Sequence, residues 1–166
     1  MSDYLEVRDE AVEQIKEGIL PLYPKMTIEA HPGIFTEQSI KRDAQRTPAI
    51  LTSLVKTSEG DRNSITFVSW VLYRASSEDK LYSGALKIIS TLSLVIRKAD
   101  FDLAIKDTNI ESECLYSGTL DAINVTLWAV KWELVLGERA IQERGLLEGL
   151  EFFDELRGTA FVGPSE

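Results

Sequence analysis

The chain is poor in the side chains that do chemistry. It has a single histidine, His31, and a single cysteine, Cys114, in 166 residues. One cysteine excludes an internal disulfide, and such a chain suits a reducing cytoplasm. One histidine excludes metal centres built on paired imidazoles. No run of about 18 apolar residues occurs, so no membrane-spanning helix is expected. The opening MSDYLEVRDE is acidic, where an export signal is basic and then apolar. Positive charge is also in deficit: 18 Lys and Arg face 27 Asp and Glu, a formal charge of −9. Specific nucleic-acid binding draws on Lys and Arg to displace phosphate counterions, and this balance argues against it. There is no G-x-S-x-G elbow, no G-x-x-x-x-G-K phosphate loop, no H-E-x-x-H pair and no dinucleotide fingerprint.

What is present is a good core. With 44% hydrophobic residues, a chain of this length buries most of the surface its unfolded form exposes. LYSGAL at 81–86 returns as LYSGTL at 115–120, 34 residues on, which is the period of tetratricopeptide arrays. A further 34 residues reach Gly149-Leu150-Glu151-Phe152, with no third copy. The two copies also sit in different settings, so a helical array is rejected.

Local patterning places the elements. Asp3 and Glu6 have N-capping spacing, and Val7, Ala11, Val12, Ile15 and Ile19 form one helical stripe that Pro21 and Pro24 end. Residues 27–30 are a short extended run stopped by His31-Pro32-Gly33, and 34–47 is polar and irregular, with room for a helical turn or two. Segments 49–57 and 64–73 (SITFVSWVLY) read as a hairpin turning at Glu59-Gly60-Asp61. Ser76-Ser77-Glu78-Asp79 caps a helix with Leu81, Ala85, Ile88, Leu92 and Val95 inward, closing at Arg97-Lys98. Ser117-Gly118 is expected to break the next extended region. Residues 124–136 (NVTLWAVKWELVL) follow as a strand with Trp128 and Trp132 on one face.

This order predicts an α+β domain over 1–137, with a mainly antiparallel sheet of about four strands and helices on one face. Residues 138–166 form a C-terminal helical extension and tail. Leu146, Leu150 and Phe153 make its apolar stripe, and Gly158 to Glu166 a loose end. In SITFVSWVLY both alternate residue sets are apolar, so the face away from the helices needs a cover. A neighbouring subunit, the loop segments and the C-terminal helix are the candidates.

Candidate catalytic groups are few. His31 reads as a turn residue, solvent-exposed or bonded to the backbone. Cys114 reads as a small buried hydrophobe, unless it pairs with His31 as a dyad. The pairs Glu111/Glu113 and Asp100/Asp102 read as solvated strand faces. The basic cluster Lys41, Arg42 and Arg46 is small, and reads as solvated or ion-paired. No metal, cofactor or catalytic set is expected.

The element order and hydrophobic cadence over residues 3–136 resemble those of Mu-like prophage tail proteins. The segments that carry the likeness are the opening helix into a strand stopped at AHPG (30–33), PAILTSLVKTSEG (48–60), SITFVSWVLY, KLYSGALKIISTLSLVIRKA (80–99) and ECLYSGTLDAINVTLWAVKWELVL (113–136). That family in turn resembles the phage tail terminators, small α+β domains that close into six-membered rings. The resemblance implies a non-catalytic protein of the virion tail, assembled in the host bacterial cytoplasm. It implies a homo-hexamer that caps the tail tube protein and offers a surface to a head–tail connector or neck protein, with DNA passing through unbound. Loops on a sheet scaffold are the expected contact surfaces. These are 56–63, with Lys56, Ser58, Glu59, Asp61 and Arg62, and 34–47, with Lys41, Arg42 and Arg46; Leu150 and Phe153 would add an apolar contact from the extension. Two other readings stand beside it: another neck or connector component, and a small enzyme or ligand-binding domain using His31 with Glu29 or Cys114.

Overall fold

The computed structural model describes residues 4–33, 35–61, 63–99, 101, 104–120 and 122–136. The elements run α1 (Tyr4–Ile19), β1 (Thr27–Ala30), α2 (Glu37–Ala44), β2 (Ala49–Ser58), β3 (Ser64–Ala75), α3 (Glu78–Lys98), β4 (Ala104–Leu120) and β5 (Ile123–Leu136). The strands form one sheet of order β1-β2-β3-β5-β4, parallel only between β1 and β2. The expected α+β class with a mostly antiparallel sheet holds, with five strands in place of about four. The C-terminal extension, including Leu150 and Phe153, lies outside the described residues.

β3 is the centre of the molecule, because its side chains are apolar on both faces. One row, Ile65, Phe67, Val71 and Tyr73, packs under α1 and α3. From α1 come Ala11, Val12, Ile15 and Ile19, and from α3 Ile88, Ile89, Leu92 and Ile96. The α1 stripe is therefore the one its spacing predicts. On α3, Ile96 takes the innermost place expected of Val95, which instead turns toward α1. There the Cβ of a residue replacing Gly18 would lie 2.4 Å from a Val95 methyl. The two helices thus meet where only a glycine fits.

Trp132 anchors this core. It is fully buried, stacks on Phe67 with ring centroids 4.4 Å apart, and meets Phe101 at 5.6 Å. Its indole Nε1–H donates to Ser69 Oγ at 3.0 Å, and Ser69 Oγ bonds Thr52 Oγ1 at 2.8 Å. A buried N–H without a partner would cost about 1–3 kcal/mol, so the small hydroxyls of β2 and β3 are what allow a tryptophan here. Trp128 shares the face, as alternation predicts, but is only partly buried at its edge.

The other row of β3, Val68, Trp70 and Leu72, packs with Ala49, Leu51, Val125 and Leu127 on the opposite side. Phe35, Ile40 and Ala44 lie over it. Helices therefore sit on both faces, which corrects the one-sided expectation. The polar segment 34–47, with room for a helical turn or two, holds the two turns of α2, whose N-terminus is closed by a reciprocal box. Ser39 N–H donates to Thr36 Oγ1 at 3.1 Å, and Thr36 N–H to Ser39 Oγ at 2.7 Å. A serine at the third helical position makes the box a Thr-x-x-Ser, outside the usual Thr-x-x-Glu signature.

The second LYSG copy is also corrected. Ser117-Gly118 does not break the strand, and β4 continues to Leu120. The aromatic ring of Tyr116, two residues before Gly118 on the same strand face, covers the space its missing side chain leaves. Leu120 pairs with Ile123, and the reversal between them uses Ala122 at φ 64°. Two β-bulges leave single residues unpaired: Val55 between Leu54 and Lys56, and Leu115 between Cys114 and Tyr116. Both bulged residues are exposed.

Two stability tests follow from this packing. Trp132→Ala should cost about 3–5 kcal/mol, and Trp128→Ala distinctly less, by urea unfolding; equal losses would contradict the core position of Trp132. Gly18→Ala should lower stability by about 1–3 kcal/mol through overpacking against Val95. That outweighs the gain of about 1 kcal/mol from replacing a helical glycine. A raised midpoint would show that the helices are not in this close contact.

Candidate functional site

Two places in the described structure gather polar and charged side chains: the cluster under α2, and the tip of the β2–β3 hairpin. The first is built by the turn after β1. Pro32 and Gly33 reverse the chain, Gly33 at φ 88°, a conformation that favours glycine. Gly33 N–H then donates to His31 Nδ1 at 2.9 Å. Ser53 Oγ donates to the His31 carbonyl, and His31 N–H donates to the Thr52 carbonyl at 2.9 Å. The imidazole stacks on Phe35 with centroids 4.3 Å apart at 7°, and meets Trp70 at 5.7 Å. His31 is thus bonded to backbone, as one reading had it, but it is buried rather than exposed.

Its other nitrogen faces a carboxylate. Nε2 lies 3.8 Å from Asp43 Oδ2, and both side chains are buried. That separation is too long for a direct hydrogen bond. Oδ2 is the buried side-chain polar atom left without a hydrogen-bond partner among the described residues. Because Nδ1 accepts from Gly33, the neutral ring carries its proton on Nε2, directed at the carboxylate. Burial lowers the His31 pKa below the ordinary histidine value. Asp43 opposes this, while Arg42 and Arg46 add to it. The pair is therefore a neutral imidazole beside a carboxylate, not a full ion pair.

Neither residue proposed to act with His31 bonds to its imidazole among the described residues. Cys114 sits on β4, at the opposite edge of the sheet from β1. Four strand spacings separate those edges, roughly 20 Å. Cys114 is also exposed, which corrects the reading of a buried small hydrophobe. Glu29 is engaged by Arg46 at 2.6 Å. Glu111 and Glu113 do share an exposed face of β4, and Glu111 stands opposite Lys131. No group of three or more His, Cys, Asp or Glu that could hold a metal occurs among the described residues. Asp100 and Asp102 lie outside them.

The basic cluster is ion-paired, one of the two states expected of it. Lys41 meets Glu37 at 3.4 Å and Arg42 meets Asp43 at 3.4 Å, in addition to the Arg46–Glu29 pair. The Lys41–Glu37 and Arg46–Glu29 pairs are exposed and contribute at most about 1 kcal/mol each. Their effect here is to cancel the local positive charge.

The hairpin tip is the second place. Lys56, Ser58, Glu59 and Asp61 are all exposed, and Arg62 lies outside the described residues. Gly60 takes φ 146°, and its N–H donates to Asn63 Oδ1 at 3.0 Å. The Tyr4 hydroxyl donates to Glu59 Oε2 at 2.9 Å, tying the tip to the start of α1. The structure does not bring this tip and the basic cluster together. Arg46 lies beside the start of β2, where Thr27 Oγ1 bonds its carbonyl, and the tip lies beyond the far end. Ten strand residues separate them, about 30 Å.

Searches against protein-family models and against curated proteins found no match to this chain. No helix among the described residues is long and apolar enough to cross a membrane.

Sequence reasoning missed Asp43 altogether. Its signal was available only in retrospect, as an acidic residue next to Ala44 on the inward side of a short helix.

The His31 environment predicts a pH dependence. A histidine whose folded pKa lies below its unfolded value of about 6.5 contributes nothing unfavourable above that pH. It destabilises the fold as pH falls through the unfolded pKa toward the folded one. The thermal midpoint should therefore decline between pH 7.5 and 5.5, and His31→Gln should flatten that decline. An unchanged slope in the variant would show that His31 is not the titrating group.

Proposed function

We propose that this chain is a structural component of a phage or prophage tail, a terminator that closes the growing end of the tail tube as a hexameric ring. The observation that carries the reading is the order of elements over residues 3–136, which resembles that of Mu-like prophage tail proteins. The α+β build, with helices packed on a five-stranded, mostly antiparallel sheet, is compatible with it. In this reading the protein does no chemistry. It binds the tube, stops polymerisation and presents its other side to a neck or connector protein.

The hairpin tip is the stronger of the two expected contact surfaces. Its Lys56, near the end of β2, and Asp61, in the turn that follows, are exposed at a loop held by a sheet, where binding residues concentrate. The basic residues of 34–47 are already engaged within the chain, so that segment would contribute shape more than charge. A ring closes through heterologous contacts, each subunit using two different patches. The charge of −9 suits a ring around passing DNA, because repulsion lets the duplex slide without sticking.

The test uses the purified full chain with isolated tail tubes, read by sedimentation and electron microscopy. Six-membered rings on tube ends are expected. Lys56→Glu and Asp61→Lys should reduce capping while leaving the thermal midpoint within about 1 °C, since surface changes cost little. A protein that stays monomeric and leaves tube ends uncapped would overturn the reading.

A further inference from the structure

The outer surfaces of the two helices on the first face differ sharply. α1 is charged along its length, with Glu6, Arg8, Asp9, Glu10, Glu13, Lys16 and Glu17. Between Lys80 and Arg97, α3 carries one charge, Lys87. Its inward positions are Leu81, Ala85, Ile88, Ile89, Leu92 and Ile96. At steps of three and four, the stripe turned away from them reads Asp79, Tyr82, Leu86, Ser90, Leu94 and Arg97. Tyr82 is 61% exposed and Leu94 55%. An exposed helical stripe with a large aromatic and a leucine, nearly free of charge along its middle, has the composition of an interface core.

The stripe is also self-complementary. Asp79 and Arg97 stand at its two ends, both exposed, and neither forms an ion pair among the described residues. They lie equally far from Ile88 along the helix. We propose that α3 is a self-association surface, on which a second copy of this chain packs its own α3 antiparallel about a twofold axis level with Ile88. In that register Asp79 of each copy meets Arg97 of the other. Tyr82 of each copy comes level with Leu94 of the other, and Leu86 with Ser90, so the exposed aromatic and leucine cover each other across the axis. The antiparallel arrangement also sets each helix N-terminus beside the other's C-terminus, which the backbone dipoles favour. A twofold contact of this kind uses the same patch on both copies. It is therefore distinct from the heterologous contacts of a ring and does not depend on the tail reading.

Charge exchange in the full chain tests it, by sedimentation equilibrium across a concentration series. Asp79→Arg and Arg97→Asp should each weaken association about tenfold, because each variant sets two like-charged pairs across the axis. The double variant should restore it. Register is read separately in a Cys114→Ser background, where Tyr82→Cys combined with Leu94→Cys should oxidise to a covalent dimer. Either cysteine alone should not, since Tyr82 and its symmetry mate lie about 18 Å apart along the helices. Failure of the double-cysteine protein to cross-link while folded would overturn the proposal. So would single reversals that leave association unchanged. Leu94→Glu should weaken association with the melting of the unassociated chain unchanged. A fall in that melting with association unchanged would mean that the chain covers this stripe itself, and would equally overturn it.

Discussion

The constraint on which the structure depends is that its central strand is apolar on both faces. β3 pairs with β2 on one side and β5 on the other, so its backbone is satisfied within the sheet. Its side chains then require cover above and below. α1 and α3 supply one layer, and the turn after β1 with α2 supplies the other. At roughly 25 cal/mol per Å² of apolar surface, leaving either row to water would remove a large part of the stability available to a domain of this size. The two cores are therefore not independent ornaments of the sheet. Each is a condition for the strand between them.

That constraint explains where polar groups are allowed. On the α1–α3 side the Trp132 indole is held by the Trp132–Ser69–Thr52 chain of hydrogen bonds. On the α2 side, His31 and Asp43 are buried together, and the imidazole keeps its place through Gly33, Phe35 and Trp70. This second arrangement is looser, since one carboxylate oxygen has no hydrogen-bond partner among the described residues. Because burial lowers the pKa of His31 here, this side of the sheet is sensitive to pH.

The outer surface divides in a similar way. Ion pairs neutralise α2 and its flank, and α1 carries mixed charge, whereas the outer stripe of α3 is bare of charge over most of its length. Among the described residues, the large exposed apolar side chains on the strands fall at Val55 and Leu115, each the unpaired residue of a bulge. Bulges disrupt the regular ladder that another chain would need for pairing.

Strong local signals made most of the fold legible. The stripe of α1, the run Thr27–Ala30, the hairpin, the Ser77 cap of α3 and the alternation through Trp128 and Trp132 all report a period of 3.6 or 2 that a single segment carries by itself. What only tertiary structure decided was every feature in which distant segments complete one another. α2 is a helix because a sheet face needed its Ile40 and Ala44, and its serine box carries no familiar signature. β4 runs through Gly118 because Tyr116 covers the gap and β5 supplies its hydrogen bonds. His31 and Asp43 became neighbours only when the turn and α2 closed over Trp70. A sequence states which residues prefer water and at what period; which of them meet is settled by the packing of both faces of one strand.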